Sequence, residues 1–186
     1  MEASIAIFFG STTGSTQMVA EKIRDLLGER LSHLADVNTA EASELEQYDV
    51  IFFGVPTWNV GEMQDDWADF IPNMSELNLA GKKVAFFGVG DAVGYAENVL
   101  DAMGELWAAV YAQGAPTLVG VWPTDGYVFE ASKGLYDDNH FLGVGLDEDN
   151  ESHLTDERLD LWLAQVLQEL ALVEAAGEAV DEAVAQ

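Results

Sequence analysis

The chain reads as an α/β domain of the doubly wound kind, and three observations predict it. Apolar runs rich in Ile, Val and Phe end on glycine at Ser4–Gly10, Tyr48–Gly54 and Lys83–Gly88. Amphipathic stripes of helical period lie between and after them. A segment of small and hydroxylated residues, Gly10-Ser11-Thr12-Thr13-Gly14-Ser15-Thr16, stands where the first run meets the first stripe. Strands that are hydrophobic without alternation are buried on both faces, which calls for a parallel sheet covered by helices on either side. Regular alternation of strand and helix is the signature of that architecture.

In chain order, Ser4–Gly10 is the first strand. Val19, Ile23, Leu26 and Leu27 then recur at i, i+4, i+7 and i+8 as the apolar stripe of a helix that Gly28 closes as C-cap. Arg30–Val37 is the second strand, with a poorer pattern than the others. Tyr48–Gly54 and Lys83–Gly88 are the third and fourth strands. Val99, Met103, Leu106, Trp107 and Val110 form the next helical stripe, closed by Gly114. Pro116–Trp122 has the composition of a further strand. The polar, glycine-containing stretch between Trp122 and Phe141 is too long for an ordinary loop and lacks helical period, so it is an excursion inserted into or beside the last strand. Phe141–Leu146 returns to the sheet. The last stripe, Leu159, Trp162, Leu163, Val166, Leu167 and Leu170, opens at Thr155 as N-cap, with Asp156 and Glu157 where the helix dipole favours acids. Residues 1–170 form one domain on this reading, and 171–186 a helical extension or a frayed tail.

Composition narrows the function. A chain of 186 residues with 49% apolar content buries a substantial core. Its 34 acidic against 7 basic residues give a formal charge of -27, which repels nucleic-acid backbones and anionic membrane surfaces alike. The absence of cysteine excludes disulfides, thiolate catalysis and iron–sulfur clusters. The first residues carry an acid where a secretion signal is basic, and no apolar run is long enough to span a bilayer. A soluble, cytoplasmic protein is the expectation.

In an open parallel sheet, ligands bind beyond the carboxyl ends of the strands, at the point where the winding reverses. After the first strand, the Gly10–Thr16 segment offers glycines for close backbone approach, several hydroxyls, and a helix N-terminus with unpaired amides and about half a positive charge. Such a nest of neutral donors holds a small anion without a formal cation. It is not a nucleotide-triphosphate loop, because it is one residue short and lacks the lysine. Gly88–Gly94 likewise misses the dinucleotide fingerprint, its third glycine coming one place late. The loops after the third and fourth strands each set one aromatic residue, Trp58 or Tyr95, among glycines. Two aromatics converging on an anion loop sandwich a planar ring, so a flat, phosphorylated ligand fits the pattern. Asp147–Glu151 resembles the start of a calcium loop but has Ser152 and Arg158 where glycine and glutamate are needed. His33, His140 and His153 are scattered among polar residues and read as solvated side chains.

These segments together resemble the long-chain bacterial flavodoxins: Phe8–Thr16 (FFGSTTGST), Pro56–Glu62 (PTWNVGE), Gly90–Asn98 (GDAVGYAEN), Trp122–Tyr127 (WPTDGY) and Leu146–Asn150 (LDEDN) followed by Thr155–Arg158 (TDER). The resemblance spans about Ser4 to Leu170. It implies a five-stranded parallel sheet in order 2-1-3-4-5, for which flavodoxin is the usual example, and non-covalent FMN at the switch between strands one and three. It also implies a one-electron carrier of low potential, cycling between semiquinone and hydroquinone, rather than an enzyme. By position, Ser11, Thr12, Thr13, Gly14, Ser15 and Thr16 would hold the 5′-phosphate. Trp58, preceded by Pro56 and Thr57, and Tyr95 would flank the isoalloxazine. Backbone at Asn59, Val60 and Gly61 would meet flavin N5, and a peptide there would turn toward it on reduction, cheaply beside glycine. Gly90, Asp91 and Asn98 would line the pyrimidine side, with Asp149 near the ribose or ring. Pro123–His140 resembles the insertion of long-chain members. The implied partners are basic-surfaced redox proteins such as a ferredoxin/flavodoxin-NADP reductase and low-potential acceptors, met by a monomer. Thr12 departs from the amide-bearing residue often found there, and the alanine-rich tail lies outside the match.

The missing cations carry an electrostatic consequence. At roughly 10 Å and an effective dielectric of 20, each negative charge disfavours a reduced flavin anion by ~1.7 kcal/mol. That is ~70 mV for a one-electron couple. The alternatives are a flavodoxin-like NAD(P)H:quinone reductase working in two-electron steps, a receiver domain and a module of a larger reductase. A receiver needs acids after strand one, an Asp after strand three and a Lys after strand five, where this chain has Gly10–Thr16, Val55–Trp58 and Trp122–Asp125. A larger reductase would bring a linker or second domain, and none is visible in the sequence.

Overall fold

The computed structural model describes residues 2–184. Its elements are β1 (Ile5–Phe9), α1 (Ser15–Leu27), β2 (Leu31–Asp36), β3 (Val50–Trp58), β4 (Glu62–Met63), α2 (Asp65–Phe70), β5 (Lys83–Val89), α3 (Asp101–Tyr111), β6 (Thr117–Leu118), β7 (Trp122–Pro123), β8 (Leu135–Asp137), β9 (His140–Phe141), β10 (Val144–Leu146) and α4 (Thr155–Val184).

The principal strands run parallel in the order β2-β1-β3-β5-β10, which is 2-1-3-4-5 when the short accessory strands are left aside. Along β1, β3 and β5, successive side chains enter opposite cores, as the period of a strand requires. Ala6, Phe8, Ile51, Phe53, Val55, Val84 and Phe86 face α2 and α3. Ile5, Ile7, Phe9, Val50, Phe52, Ala85, Phe87 and Val89 face α1 and α4. Both cores are closed by aromatic pairs. Phe53 stacks on Phe86 at 5.2 Å, and Trp162 of α4 meets Phe52 edge-on at 5.6 Å.

The last strand is interrupted by the excursion. β6 pairs with the start of β5 at Lys83 and Val84, β10 pairs with its end at Phe87–Val89, and between them β7, β8 and β9 form a small antiparallel sheet in the order β7-β9-β8. The expected strand Pro116–Trp122 therefore shrinks to Thr117–Leu118. Gly120, at φ 79°, turns the chain outward, its carbonyl accepting the Trp162 indole N–H at 2.8 Å and its own N–H donating to Glu169 at 2.7 Å.

Other expectations shift in detail. On α1 the buried arc runs through Thr16, Val19, Ala20, Ile23 and Leu27, so Leu26 lies on its edge and is 48% exposed. Val99 is buried but precedes α3 rather than belonging to it. Thr155 does not cap α4. It is already helical after a tight turn at Ser152–Leu154, and its hydroxyl donates to Glu148. His33 is half-buried rather than solvated: its ring stacks on Tyr48 at 5.4 Å, and Nε2 lies 3.1 Å from Glu44. Helix α4 is continuous past the buried Leu170 to Val184; Ala185 and Gln186 of the expected tail lie outside the described residues.

Two outcomes follow from this packing. A Cβ at Gly54 would stand 2.3 Å from the Phe87 ring, while the Gly54 carbonyl accepts the Trp67 indole N–H at 2.9 Å. Gly54→Ala is expected to destabilise the fold by about 1–3 kcal/mol, the usual range for overpacking, read as a lower urea midpoint. At the sheet's other end the Asp49 carboxylate accepts the Ser4 N–H at 2.9 Å and its hydroxyl at 3.0 Å. Chiefly that N–H, with Lys82 and Lys83 nearby, holds Asp49 below its ordinary pKa of 3.8. A carboxylate lowered on folding stabilises fully above the unfolded pKa, and the gain is lost as pH falls through the folded value. Asp49→Asn should thus lower the urea midpoint at neutral pH and flatten its fall on acidification below about pH 4.

Candidate functional site

At the carboxyl ends of β1, β3, β5 and β10, four loops enclose a crevice of ≈ 570 Å³, a size typical of small-molecule and cofactor sites. It lies over the boundary between β1 and β3, where the winding reverses. Of the residues expected from the sequence, Ser11, Thr12, Thr13, Ser15, Thr16, Pro56, Thr57, Trp58, Asn59, Gly90, Asp91, Tyr95 and Asp149 line it. Gly14, Val60, Gly61 and Asn98 do not. Gly14 stands behind the first loop as the left-handed N-cap of α1, Val60 is 70% exposed on the rim, and Gly61 and the Asn98 amide are turned toward Asp101.

The first loop is a compact nest. The Gly14 N–H donates to Ser11 Oγ at 3.2 Å, and the Met18 N–H returns to the Gly14 carbonyl at 2.9 Å. No side chain caps α1, and its first turn holds no acid. In this it differs from α2, with Asp65 and Asp66, from α3, with Asp101, and from α4, with Asp156 and Glu157. Among the described residues, three of the four α-helices thus place their own carboxylates on the positive end of the dipole. The fourth opens into the crevice with amides and hydroxyls only, which suits an external anion. Gln64, fully buried, braces the nest: its amide donates to Thr12 Oγ1 at 3.2 Å and its carbonyl accepts the Trp67 N–H at 3.2 Å.

Trp58 ends β3 and Tyr95 stands on the loop after β5, both on the lining. The Tyr95 hydroxyl lies 3.5 Å from Asn59 Oδ1, so the two loops approach one another at the mouth. The Tyr95 loop is fixed from behind. Asp91 Oδ1 accepts the N–H groups of Gly94 at 2.7 Å and Val93 at 3.0 Å and the Asn150 amide at 2.9 Å. The Gly94 N–H, helped by Asn150 and Val93, holds the Asp91 carboxyl below the usual range, so it is charged at neutral pH. Asn150 also donates to both oxygens of the buried Asp147, whose Oδ2 takes the Ala92 N–H at 3.0 Å. Beside the crevice, Tyr127 donates to the Gly145 carbonyl at 2.7 Å under the Arg158 guanidinium, and burial pushes its phenol up to about 12.

The lining carries three carboxylates, Asp91, Glu148 and Asp149, and no basic side chain. Sequence reasoning missed Val89, Glu148 and Gln64. Val89 is indistinguishable from core along its strand. Glu148 is one of several acids in an acidic run. Gln64 does carry a signal, since Gln-Asp-Asp-Trp places a capping side chain ahead of first-turn acids. Among the described residues, no group of three or more His, Asp or Glu side chains is arranged to hold a metal ion, and no helix is long and apolar enough to cross a membrane.

The family model for flavodoxin matches residues 7–162. A flavodoxin of Klebsiella pneumoniae is 47% identical over 172 residues, covering 92% of this chain and 97% of that protein. A flavodoxin of Nostoc sp. is 45% identical over 172 residues, covering 92% of this chain and all of the other. Among solved structures, the Fusobacterium nucleatum flavodoxin bound to flavin mononucleotide superposes with a TM-score of 0.82 at 27% identity, covering 90% of this chain and 98% of that one. The sheet order, the crevice at its switch point and these matches agree: the chain belongs to the flavodoxin family.

Proposed function

We propose that the protein binds FMN non-covalently and carries single electrons between redox proteins. The observation that carries this reading is the α1 N-terminus, free of acids and of any side-chain cap, opening into a crevice walled by Trp58 and Tyr95. The FMN-bound relative supports it. Ser11–Thr16 would hold the phosphate through hydroxyls and amides, and Trp58 and Tyr95 the ring faces. Backbone of Asn59–Gly61 would meet the ring edge, with Gly90, Asp91 and Asn98 on the pyrimidine side and Asp149 near the ribose or ring. FMN, when bound, supplies the one-electron chemistry of its isoalloxazine ring. The chain supplies the electrostatics: Asp91, Glu148 and Asp149, unopposed by a lining cation, make the crevice a poor place for added negative charge and so favour a low potential.

The same reading places the protein in the cytoplasm, as a monomer docking to basic-surfaced partners such as a ferredoxin/flavodoxin-NADP reductase. A formal charge of -27 accelerates such encounters at low salt. Residues 1–170 would be the FMN-binding unit, with 171–184 an extension of its last helix.

Purified protein mixed with FMN is expected to turn yellow, quench the flavin's fluorescence and reduce in two separate one-electron steps under limiting dithionite. A single two-electron step, or rapid oxidation of NAD(P)H by the protein alone, would overturn the carrier reading. Ser15→Glu introduces an acid into the one acid-free first turn. At about 5 Å and a dielectric of 20, one charge opposes the phosphate by roughly 3 kcal/mol, so FMN affinity should fall about a hundredfold. Binding of riboflavin, which lacks the phosphate, should hardly change; equal losses for both ligands would place the phosphate elsewhere.

A further inference from the structure

Asp101 opens α3 and is only 2% exposed. Its Oδ1 accepts the Lys133 N–H at 2.7 Å, and its Oδ2 accepts the Asn98 side-chain amide at 3.0 Å. A Cβ placed on Gly61 would lie 2.6 Å from that same Oδ2 and 3.3 Å from the Asn98 amide nitrogen. Gly61, at φ +80°, is therefore seated directly on the Asp101–Asn98 pair, where any other residue would be both strained and in collision.

Gly61 ends the three-residue turn Asn59–Gly61 that joins β3 to β4, in which Asn59 also holds a positive φ of 43°. Before the turn, Thr57 Oγ1 accepts the Ala102 N–H at 3.1 Å. The first turn of α3 thus grips the end of β3 on both sides of the turn, through Thr57 ahead of it and Gly61 behind it. Between the two grips stand Trp58 and Asn59, both on the crevice wall, while Asp101 itself does not reach the crevice. Leu100, just before, is held in the left-handed region at φ 58°, ψ 24°, its side chain close over Gly88 and Gly145. A strained backbone pinned by packing leaves Asp101 little freedom to move.

We propose that Asp101 is a positioning residue: it sets the Asn59–Gly61 turn, and through it the wall that Trp58 and Asn59 present to the ligand. The consequence for flavin binding rests on the FMN reading above; the consequence for the turn does not. Both carboxylate oxygens accept N–H donors, so position and charge separate cleanly by substitution. In Asp101→Asn the remaining oxygen keeps the Lys133 N–H, and Asn98 rotates its amide to accept from the new NH₂. In Asp101→Ala both donors lose their partner and a void opens beneath Gly61.

The test uses the full chain with either substitution, its folding checked by urea unfolding. In the flavin-free protein, ¹⁵N relaxation at Asn59, Val60 and Gly61 should report increased mobility for Asp101→Ala, with β3 and the body of α3 unchanged. With FMN, the dissociation constant should rise about tenfold and the separation between the two one-electron midpoint potentials should change. Asp101→Asn should restore most of each. Turn amides as rigid in Asp101→Ala as in the wild type would overturn the proposal, and so would identical behaviour of the two variants, which would assign the effect to charge. If Asp101→Ala does not fold, Asn98→Ala removes the donor from Oδ2 instead, and an unmoved turn there is equally decisive against it. A wild-type chain that takes up no FMN sinks the carrier reading, and the relaxation of the turn still decides this one.

Discussion

Everything in this molecule depends on a sheet that must be covered on both faces. Ile5, Ile7 and Phe9 enter one core while Ala6 and Phe8 enter the other, and β3 and β5 divide in the same way. Covering both faces sends α1 and α4 to one side and α2 and α3 to the other. The connections therefore leave β1 and β3 in opposite directions, and a cleft opens above the seam between them. Residues beyond the strand ends are released from core duty there, which is why hydroxyls, glycines and half-exposed aromatics gather at that place.

A second constraint is charge. With 34 acids and 7 bases, this chain cannot neutralise its carboxylates by ion pairing. Pairs such as Lys22–Asp156, at 2.6 Å and largely exposed, contribute little. The structurally important carboxylates are instead held by N–H groups: Asp91 by Gly94 and Val93, Asp147 by Ala92 and Asn150, Asp101 by Lys133 and Asn98. These contacts tie neighbouring loops to one another around the crevice. Acids at the starts of α2, α3 and α4 complement the helix dipoles from within. Only α1 leaves that role to a ligand.

The two constraints meet in the loops after β3 and β5. Trp58 is carried on a strand end fastened to α3 through Thr57, and Tyr95 on a loop fastened to β10 through Asp91, Asn150 and Asp147. A ring entering the crevice would thus meet walls held by several hydrogen bonds from N–H groups to carboxylate and hydroxyl oxygens, partly buried at Thr57 and Asp147 and exposed at Asp91. Walls so supported lose little freedom on binding, which favours affinity by preorganisation.

The sequence by itself determined the fold class, the five principal strands, the helical stripes and three of the four loops that form the crevice, because each is written in local periodicity or in turn chemistry. The Gly10–Thr16 nest, Trp58 and Tyr95 were legible for that reason. Tertiary structure alone decided what depends on residues far apart in the chain. Gly120 breaks the last strand because Trp162 and Glu169 wait for its carbonyl and N–H. Leu26 stays in solvent because the sheet meets α1 along a slightly different arc. Gln64, Glu148 and Asp101 act through partners 7 to 52 positions away, Thr12 for Gln64, Thr155 for Glu148 and Lys133 for Asp101. A pattern read along the chain registers neighbours within a turn or two, whereas a hydrogen bond across the fold leaves no period in the sequence.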